Sequence, residues 1–129
     1  AMLAARLYQD KDRKADAKVQ LTWVIDKASD EGYQALARLR LAALLIEEKA
    51  FDDARKQLTA KVPAAFAPLM ADRLGDLDML EAKPQEAVKH YQDAWKGLEP
   101  NAEYRRLVAV KLAALGADPE EKAAVEPKK

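Results

Sequence analysis

The stretch RLGDLDMLEAKPQEAVKHYQDA, residues 73–94, decides how this chain folds. Leu74, Leu77 and Leu80 recur at helical spacing before Ala82-Lys83-Pro84, and Ala87, Tyr91 and Ala94 recur at helical spacing after it. Proline at a first-turn position opens a helix, so the short Ala82-Lys83-Pro84 connection predicts two antiparallel helices. Gly75 and Ala87 are the small residues that let two backbones approach closely, and Tyr91 is large enough to fill the seam between them.

The same arrangement stands 33 residues earlier, where Leu41-Ala42 is followed by Ala54 and Leu58 with the same internal spacings of 12 and 4. A fainter copy precedes it, with Ala5 and Tyr8 on one helix and Ala17 and Leu21 on the next, the polar run Gln9-Asp10-Lys11-Asp12-Arg13 serving as the turn. Helical repeats cannot bury their apolar faces alone and must stack. Paired helices, small residues at fixed places and a period near 34 resemble the tetratricopeptide repeat, although the aromatic residue usual early in each first helix is absent. The expected fold is all-α: about three antiparallel helix hairpins plus a C-terminal capping helix. An ordinary helical bundle with coincident spacing is the competing architecture.

Further signals divide the chain. Ser29-Asp30-Glu31-Gly32 breaks it before a helix from Tyr33 to Glu48 that is apolar most of the way round and should be the most buried. Asp52 and Asp53 suit the positive end of the next helix, and Pro63 and Pro68 punctuate the segment beyond it. Gly97 should end the helix begun at Pro84, Asn101 should cap the next, and Gly116 should stop it. Residues 1–117 are thus expected to form the helical domain and 118–129 a frayed tail.

Composition removes several classes of function. Lys plus Arg and Asp plus Glu both total 22, so no net field favours nucleic acid or an anionic membrane surface. There is no cysteine for a disulfide, a redox pair or a cysteine zinc site. The longest unbroken apolar run, Leu41 to Ile46, is far short of the roughly 20 residues a membrane-spanning helix needs. No signal peptide is visible, and the abrupt Ala1-Met2 start reads as a cloning scar or a cut inside a longer protein, so any anchor upstream would be lost to view.

Catalytic patterns are missing. The single histidine, His90, has Glu86 and Asp93 at helical spacing on its own helix, which suits a surface pair better than a metal set lacking a second histidine or cysteine. No phosphate loop, G-x-S-x-G or H-E-x-x-H occurs, and neither catalytic residues nor a cofactor nor a metal is expected. Asp72, Arg73 and Asp76 fall within a first helix, whose open side faces the concave surface in this architecture, and a local ion pair is the competing role for them. Met79 should point into the groove beside Ile46 and Arg40. Arg40, Ile46, Asp72, Arg73, Asp76 and Met79 are therefore the expected partner contacts, an apolar floor flanked by charges that suits a peptide or a partner helix. Trp23 and Trp95 lie on second helices and should pack between neighbouring hairpins. Leu107, Val110 and Leu112 could cap the array or form a homodimer.

Two patches carry a narrower likeness. Tyr33-Gln34-Ala35-Leu36-Ala37-Arg38-Leu39-Arg40-Leu41-Ala42, with Phe51-Asp52-Asp53-Ala54 and Leu58, resembles the YfgM-type ancillary SecYEG translocon subunits, as does Ala71-Asp72-Arg73-Leu74-Gly75-Asp76 with Gln85-Glu86-Ala87, Tyr91 and Ala94. The likeness covers roughly residues 30 to 115. It implies a non-enzymatic adaptor anchored in the inner membrane of Gram-negative bacteria by an upstream helix. Its helical domain would project into the periplasm and associate with the translocon and a periplasmic chaperone. A lipoprotein or cytoplasmic scaffold of the same fold, or a regulatory domain of a larger enzyme, are the other readings open to the sequence.

Overall fold

The structure is a computed structural model that describes residues 2–119, with the side chains of residues 13–119. It is helical, and no strand occurs among the described residues. The elements are α1 (Met2–Lys27), α2 (Glu31–Glu47), α3 (Phe51–Leu58), a single 3₁₀ turn at Ala64–Phe66, α4 (Ala67–Leu80), α5 (Pro84–Gly97) and α6 (Glu103–Ala114). The chain divides into two compact units, one ending at Pro63 and the other beginning at Ala64.

In the first unit, α1 packs on α2 and α2 on α3. Asp30 caps α2, its side chain accepting from the backbone N–H groups of Gly32 (2.7 Å) and Tyr33 (3.2 Å), so the break read at Ser29–Gly32 is where the helix starts. Lys14 and Lys18 reach Glu47 (3.1 Å) and Glu48 (2.8 Å) across the α1–α2 contact. These pairs are partly exposed and add little to stability. Ala35, Ala37, Leu41, Ala42, Ala54 and Leu58 form the buried interior of this unit.

In the second unit, α4 packs on α5 and α5 on α6. Gly75 and Ala87 are buried at the α4–α5 contact, and a Cβ on Gly75 would overlap the Tyr91 ring, so glycine is required here by space rather than by backbone angle. Ala87, Tyr91, Ala94, Val108 and Leu112 form the core between α5 and α6. Trp95 packs against that cluster and stacks under Arg105, 3.7 Å from guanidinium to ring centroid. The expected packing role of Trp95 holds, whereas Trp23 is 63% exposed.

Three helix ends share one geometry. After α2, α4 and α6 the chain turns through Lys49 (φ 60°), Ala82 (φ 59°) and Gly116 (φ 77°). Each of these turns has the paired backbone bonds of a Schellman motif: Ala50 to Leu45 and Lys49 to Ile46, Lys83 to Asp78 and Ala82 to Met79, Ala117 to Leu112 and Gly116 to Ala113. The turn residues are 33 and 34 positions apart. By this measure α6 is the first helix of a further repeat, with Val108 and Ala109 at the places of Leu41-Ala42 and Leu74-Gly75.

The all-α, tetratricopeptide-like class is therefore what the protein has, with α2/α3 and α4/α5 as complete pairs. Three details differ from the sequence reading. Residues 9–13 do not form a turn: α1 runs unbroken from Met2 to Lys27, because a run of Gln, Asp, Lys and Arg holds no glycine or proline to end a helix. The helix with most buried residues is α4 rather than α2, where Tyr33 and Leu36 are exposed. Asn101 does not cap α6, which starts at Glu103 after Ala102. Gly97 does end α5 as expected: it is the last residue of the helix, a Cβ there would come within 2.8 Å of Pro68 Cγ, and Leu98 after it is extended. Most of the expected tail, residues 120–129, lies outside the described residues.

Candidate functional site

Asp72 and Asp76 stand four residues apart on α4 and so share a face of the helix. Asp72 is fully buried, and burying a carboxylate is costly unless it is paired and hydrogen-bonded. Lys111 of α6 meets that need: its Nζ donates to Asp72 at 3.0 and 3.2 Å and to Asp76 at 3.1 and 3.3 Å. Two phenols complete the set, Tyr104 donating to Asp72 at 2.5 Å and Tyr91 to Asp76 at 2.6 Å. Arg73 lies 3.6 Å from Asp72 and 3.7 Å from Asp76, with its side chain about half exposed. Two carboxylates are thus balanced by two cations, one on α6 and one at the rim.

The environment shifts both phenols in one direction. Burial, then the hydrogen bond to Asp76 and the charges of nearby carboxylates, pushes Tyr91 well above the ordinary tyrosine range. Burial and the hydrogen bond to Asp72 do the same to Tyr104. Both remain donors at any physiological pH, which keeps the network assembled. No buried side-chain polar atom among the described residues lacks a partner.

A second buried carboxylate, Asp78, bonds His90 Nδ1 at 2.5 Å across the α4–α5 pair. His90 therefore faces the neighbouring helix, not Glu86 and Asp93 on its own, as the sequence spacing had indicated. Among the described residues no group of three or more potential ligands could hold a metal ion. The network couples helices through closed hydrogen bonds and presents Arg73 at its edge, with Met79 (41% exposed) and Leu80 (58% exposed) at the end of the same helix.

The six residues singled out in the sequence divide accordingly. Asp72, Arg73 and Asp76 are brought together, and Arg73 does bridge the two carboxylates as a local pair. Asp72 is enclosed, its carboxylate accepting from Tyr104 and Lys111, and so is not exposed for a direct surface contact. Met79 is exposed on α4, Arg40 is exposed on α2, and Ile46 is half-buried near the end of α2. Arg40 and Ile46 belong to the first unit and the other four to the second.

Residues 1–117 match the tetratricopeptide repeat-like domain. The chain belongs to that family. It is also 35% identical over 114 residues to the ancillary SecYEG translocon subunit of Neisseria gonorrhoeae (strain ATCC 700825 / FA 1090), a match that covers 88% of this chain and 54% of the relative. The chain thus spans about half the length of that relative. No solved structure matches the chain. No helix among the described residues of this tetratricopeptide repeat-like domain is long and apolar enough to cross a membrane.

Tyr104 and Lys111 were not singled out from the sequence. Their partner Asp72 lies 32 and 39 residues away, beyond any local pattern. The available signal was the repeat itself. Val108-Ala109 continues the phase of Leu74-Gly75 and so places α6 where a first helix would meet α4, and Lys111 is a cation on that helix.

Proposed function

We propose that this tetratricopeptide repeat-like domain is a non-catalytic protein-binding module of an inner-membrane-anchored adaptor. On this reading it acts on the periplasmic side, in association with the SecYEG translocon and with a periplasmic chaperone. The observation that carries the proposal is the 35% identity to an ancillary SecYEG translocon subunit across nearly the whole chain. The site supports it chemically. Among the described residues Asp72, Asp76, Tyr91, Tyr104 and Lys111 are tied to one another by hydrogen bonds, and α4 exposes a cation, Arg73, with the exposed apolar residues Met79 and Leu80 further along the same helix. A helix that exposes a cation and, about two turns on, an apolar end suits a partner segment carrying an acidic residue and an apolar anchor at a similar separation. Asp72 and Asp76 serve by holding Arg73 in place, and Arg40 and Ile46 are proposed as partner contacts of the first unit taken by itself.

The test is capture of purified SecYEG by the immobilised chain. Replacing Arg73→Ala and Met79→Ala together should weaken capture by about tenfold or more, the scale of losing central interface anchors. The circular dichroism spectrum should stay helical. Unchanged capture by a folded double variant would remove this site from the proposal.

A further inference from the structure

The two complete helix pairs differ at one corner. In the second pair α5 runs for 14 residues, Ala94 is fully buried near its end, and Gly97 closes on Pro68 at the start of α4. In the first pair α3 has only 8 residues and ends at Leu58. A helix as long as α5 would run through Pro63, whose ring and missing N–H break the helical hydrogen-bond ladder, so the chain leaves the helix early. The corner is left open as a pocket of about 350 Å³, lined by Glu31, Gln34 and Arg38 of α2 and by residues 61–63 beyond α3.

The two corners differ in chemistry as well as in shape. Glu31, Gln34, Arg38 and Lys61 stand 33 residues before Ala64, Ala67, Ala71 and Ala94. Where the second pair has four alanines, the first has two cations, a carboxylate and an amide. Arg38 is half-buried, and the one bond its guanidinium makes among the described residues is from Nη1 to Gln57 Oε1, at 2.8 Å. Neither Arg38 nor Lys61 enters an ion pair among the described residues. A guanidinium carries five N–H donors in a planar fork, so a single neutral partner leaves most of them open. Drawing a cation partly out of water without an opposite charge is costly, and the cost is relieved by an anion beside it.

We propose that this corner of the first unit binds a single carboxylate group, held by the fork of Arg38 and the charge of Lys61. The fork matches the two oxygens of a carboxylate. Arg38 and Lys61 exceed Glu31 by one positive charge, which one carboxylate balances, whereas a dianion would meet repulsion from Glu31. The carboxylate belongs to a free organic acid or to an acidic residue of a peptide, two sources of the same planar anion. The pocket is built entirely from the first unit and does not depend on the partner-binding proposal, which rests chiefly on α4.

The test is an NMR titration of the isotope-labelled full chain at constant ionic strength, read at the Arg38 Nε–H and the Gln34 side-chain amide. The probes are acetate, the blocked peptide acetyl-Gly-Glu-Gly-amide and its neutral analogue acetyl-Gly-Gln-Gly-amide. Saturable shifts are expected with acetate and the glutamate peptide, at a Kd between about 1 and 10 mM, and none with the glutamine peptide. Tighter binding of the glutamate peptide assigns the carboxylate to a peptide, and equal or tighter binding of acetate assigns it to a free acid. Arg38→Met should weaken binding by about tenfold or more, and Lys61→Met, at an exposed position where folding is not at stake, by about threefold. Absence of a saturable shift with both carboxylates would overturn the proposal, as would equal shifts with the glutamine peptide. Tighter binding of inorganic phosphate than of either carboxylate, or unchanged affinity in Lys61→Met and in a folded Arg38→Met, would do the same.

Discussion

Single residues in the second unit carry more of the fold than their chemistry alone suggests. Gly75 sits where any side chain would strike the Tyr91 ring, and that ring is fixed by its hydrogen bond to Asp76. Gly75→Leu should therefore lower stability by about 3 kcal/mol, at the upper end for overpacking, measured as a fall in the thermal midpoint. Lys111→Ala leaves fully buried Asp72 without its closest cation. Breaking a buried pair costs roughly 3–5 kcal/mol. Since Lys111 retains 24% exposure and Tyr104 remains, a loss of about 2 kcal/mol by denaturant titration is expected, and Asp72→Asn in the same chain should recover part of it. The tyrosines set an alkaline limit. Their folded-state values lie above the unfolded one, so their contribution is fully present below about pH 10 and is lost as pH rises beyond it. Denaturation midpoints measured between neutral and alkaline pH should fall above that point, and more shallowly in Tyr91→Phe/Tyr104→Phe.

Among the elements, the helix ends are where stability can be gained. Lys49 and Ala82 adopt the left-handed conformation that glycine fills at Gly116 in the same motif. That conformation costs a residue with a Cβ roughly 1–2 kcal/mol, of which glycine's larger unfolded entropy takes back part. Lys49→Gly and Ala82→Gly should each raise the thermal midpoint, by about 0.5–1 kcal/mol in stability. The elements also show what could be read from the sequence. Pro84, the small residues Ala42, Gly75, Ala54 and Ala87, and the stop at Gly116 are local signals, and α2 to α6 lie where those signals place them. The turn expected at residues 9–13 rested on polarity alone, which a helix surface satisfies equally well, and α1 runs through it. The pairing of Asp72 and Asp76 with each other's neighbourhood was legible at helical spacing. Lys111 and Tyr104 were not, because their positions depend on how α6 docks rather than on any nearby residue.

At the scale of the molecule, the chain has equal numbers of acidic and basic residues, and the proposed function places its partner contacts on the surface. The proposed function has this domain hold a protein partner through the exposed end of α4. The most direct measurement is site-specific photocrosslinking in inner-membrane vesicles containing SecYEG, with a photoreactive amino acid placed in turn at Met79, at Leu80 and at the exposed Lys89 of α5. Adducts with SecYEG are expected from residues 79 and 80, with little or none from 89. Adducts from 89 alone, or none from 79 and 80 while the folded chain still co-purifies with the translocon, would contradict this assignment.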